Sequence, residues 1–550
     1  MVNESFFTPK ANTQFSSLKR LCHNRYQTSL LVTLFLCITA CGGGGGGSNA
    51  SAAAPANSNG WVSGVFKAAS EFINLCVAPR NGVDPATNAP YPDMGGTTLD
   101  ENNWLRSWSN NTYLWYSEIT DRDPGLYSNP LDYFDLLVTE QSTPSNKPKD
   151  QFHFSMPTDE WYAAVSSGTS MGYGVQFTII SQAPPREMLV AYTDPGSPAT
   201  APEVNLKRGA KILEIDGVDF VNDNTFSGVD TINAAVFPSS SGETHNFTIQ
   251  DFGSDATRSI TLTSQEVTSA SVQNVHTIET ASGNVGYMSF HSHTASAEQQ
   301  LVAAVEQLQA DGISDLVLDL RYNGGGFLAI ASQLSYMVAG VNATAERVFE
   351  LTQFNDKHQQ IDPVIGEPIE PIPFLDTTQG LSLAPGQGLP TLDLPRLFVL
   401  TGNNTCSASE AIINGLRGIG FEVIQIGGTT CGKPYGSYAQ DNCGTTYFTI
   451  QFKGVNDKGF GDYTDGFSPD NDANASGVKI TGCSISDDFS RELGDIEEGR
   501  LAAALAYRDS GSCPATITSA DASAKARKQK PMPVNDGVIT RPPWLQNRIL

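Results

Sequence analysis

Positive charge is scarce in this sequence: 33 Lys and Arg stand against 58 Asp and Glu in 550 residues, a formal net charge of −25. A surface that holds a phosphate backbone needs clustered cations, so nucleic acid is excluded as the main partner. Anionic membrane surfaces are disfavoured for the same reason. Long apolar runs are scarce too, and the run singled out here, Ser29 to Cys37, is too short to cross a bilayer as a helix. Histidine is rare, with 7 in all; only His291-x-His293 puts two imidazoles on one side of a strand. No third ligand lies near them in sequence, so they are read as a surface strand end and not as a metal site. Asp470-x-Asp472-x-Asn474 starts like a calcium loop, but Ala475 and Thr481 fill the places where that loop needs Gly and Glu. No metal or cofactor is expected. There is no internal repeat. What remains is 39% hydrophobic and 17% charged, a composition for folded domains, and the length suits about three of them.

The first forty residues read as an export signal. Lys19, Arg20 and Arg25 flank the apolar run, which ends in Ile38-Thr39-Ala40-Cys41. That ending resembles a bacterial lipobox, with Cys41 as the lipidated residue; an ordinary cleaved signal is the alternative. Residues 1–41 are thus a lipoprotein signal, and 42–60, opening on Gly42 to Gly47, a flexible tether. With Gly42 in place of Asp after the cysteine, the lipobox resemblance implies an outer-membrane lipoprotein, facing the periplasm or the cell surface. Cys76, Cys406, Cys431, Cys443, Cys483 and Cys513 form an even set, which in an exported chain suggests disulfides. Cys431 with Cys443 is the expected local pair.

Four textures follow along the chain. Residues 61–168 are rich in Trp and Tyr; Trp104-Leu-Arg-Ser-Trp108 and Tyr113-Leu-Trp-Tyr116 look like helix faces, so a small helical domain with an aromatic core is expected. Residues 169–266 turn to short β runs. Residues 267–513 alternate strands and helices, an α/β layered sheet with crossover helices. Within them the Pro-rich stretch 341–395 reads as a lid or an insertion. Residues 514–550 form a tail expected to be extended or mobile.

Within the β region Met171-Gly-Tyr-Gly-Val175, Asp194-Pro-Gly-Ser-Pro-Ala199 and Gly209-Ala-Lys-Ile-Leu-Glu-Ile-Asp-Gly217 occur in that order. This order resembles a PDZ domain. The resemblance implies that Gly172, Tyr173, Gly174 and Val175 form a backbone nest for a terminal carboxylate, beside which a peptide adds as a strand.

The chemistry is carried by Asn404-Thr-Cys-Ser-Ala-Ser-Glu-Ala-Ile-Ile413, a polar run leading from a buried strand into a helix. A hydroxyl there meets unpaired N–H groups and the positive end of the helix dipole. Taken alone, Ser-Ala-Ser-Glu is equally a capping sequence. Two more segments decide. Asp319-Leu-Arg-Tyr-Asn-Gly-Gly-Gly326 is a glycine turn after a buried strand, and Gly427-Gly-Thr-Thr-Cys-Gly-Lys433 puts a lysine on a glycine-rich loop. The ordered trio behind a PDZ-like segment resembles the carboxyl-terminal processing (tail-specific) serine proteases, most firmly over 285–470.

The resemblance implies a layered α/β (ClpP/crotonase-like) catalytic core over 267–513 with an inserted-style PDZ β domain and an N-terminal helical domain. It implies Ser407 as nucleophile, Lys433 as general base, and Ala408 and Gly325 N–H groups as the oxyanion hole. It also implies protein or peptide substrates; oligomeric state stays open. Lysine takes a proton only when neutral, so its pKa must fall from about 10.4 towards 7 or 8 through burial. The chain departs from the pattern in three places. Ser437 stands where a Gln usually orients the lysine, with Gln440 as the replacement considered. Pro434 follows Lys433, and Cys406 precedes Ser407. A catalytically inactive PDZ-bearing scaffold is therefore the second reading. A histidine base, from His291 or His293, and a Cys406 thiol nucleophile are further alternatives. The apolar end Arg548-Ile-Leu550 is expected to dock in the PDZ groove as a regulator.

Overall fold

The computed structural model describes residues 60–84, 88–514 and 548–549. The expected signal, Cys41, nearly all of the expected tether and most of the tail lie outside the described residues. No helix among the described residues is long and apolar enough to cross a membrane.

Helix Thr98–Thr112 opens on a capping box, with Thr97 N–H donating to Asp100 and Asp100 N–H to Thr97 Oγ1. Trp104 and Trp108, four residues apart, lie on one face and stack with centroids 5.2 Å apart. They pack on Phe134 and Tyr447, so these aromatics are core. The helix stops at Tyr113, whose backbone is extended. Strand Phe154–Pro157 then joins Thr445–Phe448 from the far end of the chain. The expected small helical domain thus also carries short strands, and it is stitched into the C-terminal half by strand Phe154–Pro157 and by a Cys76–Cys443 disulfide.

The next unit is a β-sheet in the order Thr257–Thr263, Thr244–Gln250, Lys211–Ile215, Glu187–Thr193, Val175–Ser181. Alternating residues, among them Val190, Ile212, Phe247, Ile249 and Leu262, form its core. Helix Phe226–Val236 buries Ile232 and Ala235 in the same core. Val175–Ser181 ends the sheet, so one of its edges has no strand partner within that sheet.

The central sheet has six strands: Val272–Ile278, Val285–Phe290, Asp315–Asp319, Arg396–Thr401, Glu422–Gly427 and Gly482–Ser484. The first pair is antiparallel and the remainder parallel. Both faces are covered, which is why these strands read as unbroken apolar runs. Met288, Leu318 and Val399 face helices Ala297–Ala310, Leu328–Thr344 and Ala408–Gly418. Tyr287, Val317 and Phe398 face helix Gly499–Ser510. The stretch 341–395 is no free lid: Phe374, Leu389 and Leu394 belong to the main core, and Leu392 N–H bonds the Met337 carbonyl at 2.7 Å.

Three neighbouring parallel strands end in the three sequence motifs. Asp315–Asp319 feeds the glycine turn, Arg396–Thr401 the Ser407 loop, and Glu422–Gly427 the Lys433 loop. Loops at the carboxyl ends of adjacent parallel strands share one crevice, where open α/β sheets bind ligands. That topology is what brings residues 321–326, 407 and 433 together.

Candidate active site

Ser407 is the N-cap of helix Ala408–Gly418 and holds φ 58°, ψ −116°. A serine avoids this left-handed region, and such strain persists only where the surroundings enforce it. The side chain is fully buried, and Oγ has no hydrogen-bond partner among the described residues. Ala408 is the first helical residue, so its N–H has no acceptor inside the helix.

Glu410, one turn into the helix, is a buried carboxylate that gathers the loops. Oε2 accepts from Ser407 N–H at 3.1 Å and from Lys433 N–H at 2.8 Å. Oε1 accepts from Gly432 N–H at 2.9 Å and Thr430 Oγ1 at 2.5 Å. One oxygen therefore ties the main chain of Ser407 to that of Lys433. Burial raises the Glu410 pKa, and the donors offset part of that rise.

Lys433 is 1% exposed, with Nζ 4.3 Å from the centre of the Phe152 ring. Burial lowers its pKa from 10.5 to about 7, against the opposing pull of Asp150 and Glu410. Asp150 is fixed by Tyr113 Oη–H at 2.9 Å and Phe152 N–H at 2.8 Å. The Trp- and Tyr-rich first unit thus walls the lysine, a role that sequence reasoning missed. Gln440 sits on strand Gln440–Asn442, and its amide nitrogen reaches the Asp441 carbonyl at 3.5 Å. It does not act as the stand-in for the orienting Gln. Pro434 anchors the lysine segment by accepting from Gly454 N–H at 2.9 Å.

The glycine turn is held from below by Arg321, which is buried with Asp319, Glu498 and Asp487. Arg208 of the β unit also reaches Asp487, at 2.7 Å, and Tyr322 Oη, at 2.7 Å. Arg321 in the Asp-Leu-Arg motif is therefore a structural residue that joins two units. Gly325 and Gly326 have φ 106° and 136°. A Cβ on Gly326 would stand 2.5 Å from the His293 carbonyl oxygen, so only glycine fits.

In this structure Gly325 N–H donates to Asn323 Oδ1 at 2.9 Å. One expectation about this turn is corrected: His291 and His293 are not a surface strand end. Both are buried; His291 stacks on Tyr192 at 3.9 Å, and His293 Nδ1 lies 3.0 Å from Asn323 Oδ1. Burial lowers their pKa values to about 4 and about 3, which keeps both neutral. Asn323 also meets the nucleophile loop, its carbonyl accepting from Cys406 N–H and Ser409 Oγ, each at 3.1 Å.

The tail is corrected as well. Arg548–Ile549 pairs in parallel with Gly326–Phe327, beside the active-site crevice, and not with the edge of Val175–Ser181. In the loop 172–175, Tyr173 is a core residue whose hydroxyl bonds the Ala235 carbonyl at 2.8 Å. Gly174 has φ 68°, and its carbonyl accepts from Asp194 N–H at 2.8 Å. Gly172 closes strand Thr169–Gly172, and Val175 opens strand Val175–Ser181.

The disulfides are Cys76–Cys443, Cys406–Cys431 and Cys483–Cys513. The expected Cys431–Cys443 pair is not formed. Strand Tyr435–Gly436 and the hairpin that follows carry Cys443 away to the first unit, where Asn74 N–H also bonds Asn442 Oδ1 at 2.9 Å. Cys406, Glu410 and Cys431 bring three potential ligand atoms within 4.8 Å of one another. The bonded sulfurs carry no thiolate charge, which removes them as metal ligands.

The same segments carry the likeness to known proteins. Residues 284–470 match Peptidase family S41, and residues 100–156 match the Peptidase S41 N-terminal domain. This chain contains an S41 peptidase domain. A carboxyl-terminal-processing protease of Picosynechococcus is 27% identical over 270 residues, which cover 49% of this chain and 55% of the relative. The chain thus spans about half the length of that curated relative. A solved structure of a candidate S41 protease from Bacteroides fragilis has a TM-score of 0.55 at 22% identity. The overlap covers 77% of this chain and 98% of that one, which supports the peptidase fold.

Proposed function

We propose that the chain is a serine endopeptidase working through a Ser407–Lys433 dyad. The observation that carries this is the buried Lys433, neutral above pH about 7, on a loop bound to the same carboxylate oxygen as Ser407. Lys433 takes the Ser407 proton as Oγ attacks a peptide carbonyl, and returns it to the departing amine. Water deprotonated by Lys433 then hydrolyses the acyl ester. Ala408 N–H faces the developing oxyanion, and Gly325 N–H joins it once it leaves Asn323 Oδ1. Among the described residues Ser407 Oγ makes no hydrogen bond, and the dyad is read as closing when substrate binds.

The β unit is read as a PDZ domain dividing the chain at about 169 and 266. Support comes from the unpaired edge of Val175–Ser181 beside the 172–175 loop, which suits addition of an extended peptide strand. Substrates are then unfolded or carboxyl-terminal segments of exported proteins. Cys41 is the proposed lipid attachment site of an outer-membrane lipoprotein. The second reading, a scaffold without catalysis, is favoured by one observation, the engagement of Gly325 N–H.

Incubating wild type, Ser407→Ala and Lys433→Ala with an unfolded protein separates the two readings. Cleavage by wild type alone supports the peptidase. No cleavage by wild type, with peptide binding intact, supports the scaffold; cleavage by either variant removes the dyad.

A further inference from the structure

Lys433 must be placed to within a fraction of an ångström to reach Ser407 Oγ, yet the group expected to orient it is replaced by Ser437, and Gln440 points elsewhere. The lysine loop has already left the sheet at Gly427. Two attachments tie it back to the nucleophile loop. The first is covalent: Cys406, adjacent to Ser407, is bonded to Cys431, two residues before Lys433. The second is Glu410, whose Oε2 holds the Ser407 and Lys433 amides together and whose Oε1 holds Gly432 and Thr430. Cys431 N–H adds a bond to the Thr405 carbonyl at 3.0 Å. Cys431 Sγ also lies 3.4 Å from Glu410 Oε2, a contact only, because a bonded sulfur has no proton to donate.

We infer that the Cys406–Cys431 disulfide and the Glu410 carboxylate form one clasp that positions Lys433 against Ser407 and keeps water from it. This rests on the Ser–Lys reading above. Both are positioning groups, since neither touches the reacting atoms. Each closes the same gap from a different side: the disulfide fixes the loop ends, and the carboxylate fixes the backbone between them. Opening the disulfide removes one of the attachments that oppose the tendency of a buried amine to solvate. The lysine then moves towards water and its pKa climbs back towards 10.5.

The test compares three double variants on one unfolded protein substrate and on Ser407 acylation by a fluorophosphonate probe. In Cys406→Ala/Cys431→Ala, kcat is expected to fall ~10–100-fold with KM within ~2-fold, and the acid limb to move up by at least ~1 pH unit. Cys76→Ala/Cys443→Ala and Cys483→Ala/Cys513→Ala are expected to lower Tm and leave that limb in place. If the first variant does not fold, the quadruple variant Cys76→Ala/Cys443→Ala/Cys483→Ala/Cys513→Ala, treated with a thiol reductant and then reoxidised, isolates the Cys406–Cys431 bond and gives the same reading. An acid limb and kcat unchanged after loss of Cys406–Cys431 overturn the clasp. Absence of any Ser407 labelling in wild type sinks the peptidase reading itself, so the two failures are distinct.

Arg548–Ile549 carries a second, independent inference. This strand lies parallel to Gly326–Phe327 and against Tyr435–Gly436, between the segments that follow the oxyanion turn and Lys433. An extended substrate pairing on this edge would have its backbone held beside the glycine turn, so the two would compete for it. We propose that Arg548–Ile549 occupies this edge as an intramolecular competitor of peptide substrates, a contact made through backbone pairing. Deleting 541–550 is expected to raise kcat/KM at least ~5-fold, and a synthetic 541–550 peptide to inhibit the shortened enzyme competitively, as mass action requires. Ile549→Pro in the full chain, which removes a backbone donor, is expected to act like the deletion. Equal activity of the full and altered chains overturns the proposal, whatever the peptide does.

Discussion

The two walls of the crevice are finished to different degrees. On the lysine wall every loop amide from Gly432 to Lys433 has its acceptor, the amine is dry, and its proton affinity is already lowered towards neutrality. On the glycine wall the N–H expected to face an oxyanion is spent on Asn323, whose amide oxygen also lies within reach of His293. A charge-bearing group must be prepared before substrate arrives, because burying an amine costs the fold. A backbone N–H can be borrowed by a side chain at little cost and released when substrate offers a stronger acceptor. The lysine shift from 10.5 to about 7 corresponds to about 5 kcal/mol at 1.36 kcal/mol per unit, spread over the packing of the site. The aromatic first unit, through Phe152 and Tyr113, is part of what bears it.

This contrast can be broken experimentally at either wall. The largest effects belong to the reacting groups: Ser407→Ala and Lys433→Ala are each expected to lower kcat at least ~10³-fold with fold retained, read by hydrolysis and circular dichroism. Next comes Gly326→Ala, which forces a Cβ into the His293 carbonyl at an unfavourable φ. It is expected to cost ~10²-fold in kcat while Ser407 labelling keeps its acid limb near 7.

Smaller effects tune the lysine alone. Asp150 raises the Lys433 pKa, so Asp150→Asn is expected to move the acid limb of kcat/KM below 7. Phe152→Ala, which opens the amine to water, should move it above 7. Both shifts are read from pH–rate profiles. For stability the sign is the same on both walls, but the pH windows differ. Lys433 is neutral in the fold and charged in the unfolded chain between pH about 7 and 10.5, so its cost fades as pH rises through that window. His291 and His293 are neutral in the fold down to about 4 and about 3, whereas an unfolded His protonates near 6.5. Their contribution is complete above pH 6.5 and is lost as pH falls below it, by ~1.4 kcal/mol per unit for each imidazole. Urea midpoints at pH 7 and pH 5 should show this loss, and replacing His291 with Phe should reduce it.

Much of the fold could be read in the sequence because it is local or periodic. The strands ending at Asp319, Thr401 and Gly427 are apolar runs followed by motif loops, and parallel topology then forces the three loops together. Ser407 as a helix cap and Lys433 on a glycine-rich loop were visible for that reason. What escaped was long-range. Nothing in the spacing of cysteines tells that Cys443 crosses to Cys76 over 367 residues, and the short interval to Cys431 misled. Asp150 and Phe152 lie far in sequence from the lysine they enclose. Asn323 was read as part of a turn, but its role as acceptor for Gly325 N–H depends on side-chain direction, which periodicity does not report. The two histidines were misplaced because His291-x-His293 follows strand Val285–Phe290 and enters a bend over the sheet where a strand end at the surface was expected.

The most direct measurement is the pH dependence of Ser407 acylation by a fluorophosphonate probe, followed by intact mass in wild type and Lys433→Ala. The account predicts a single modification on Ser407 that grows with pH through a midpoint near 7 and disappears when Lys433 is removed. Labelling that is flat from pH 5 to 9, or that persists without Lys433, contradicts it.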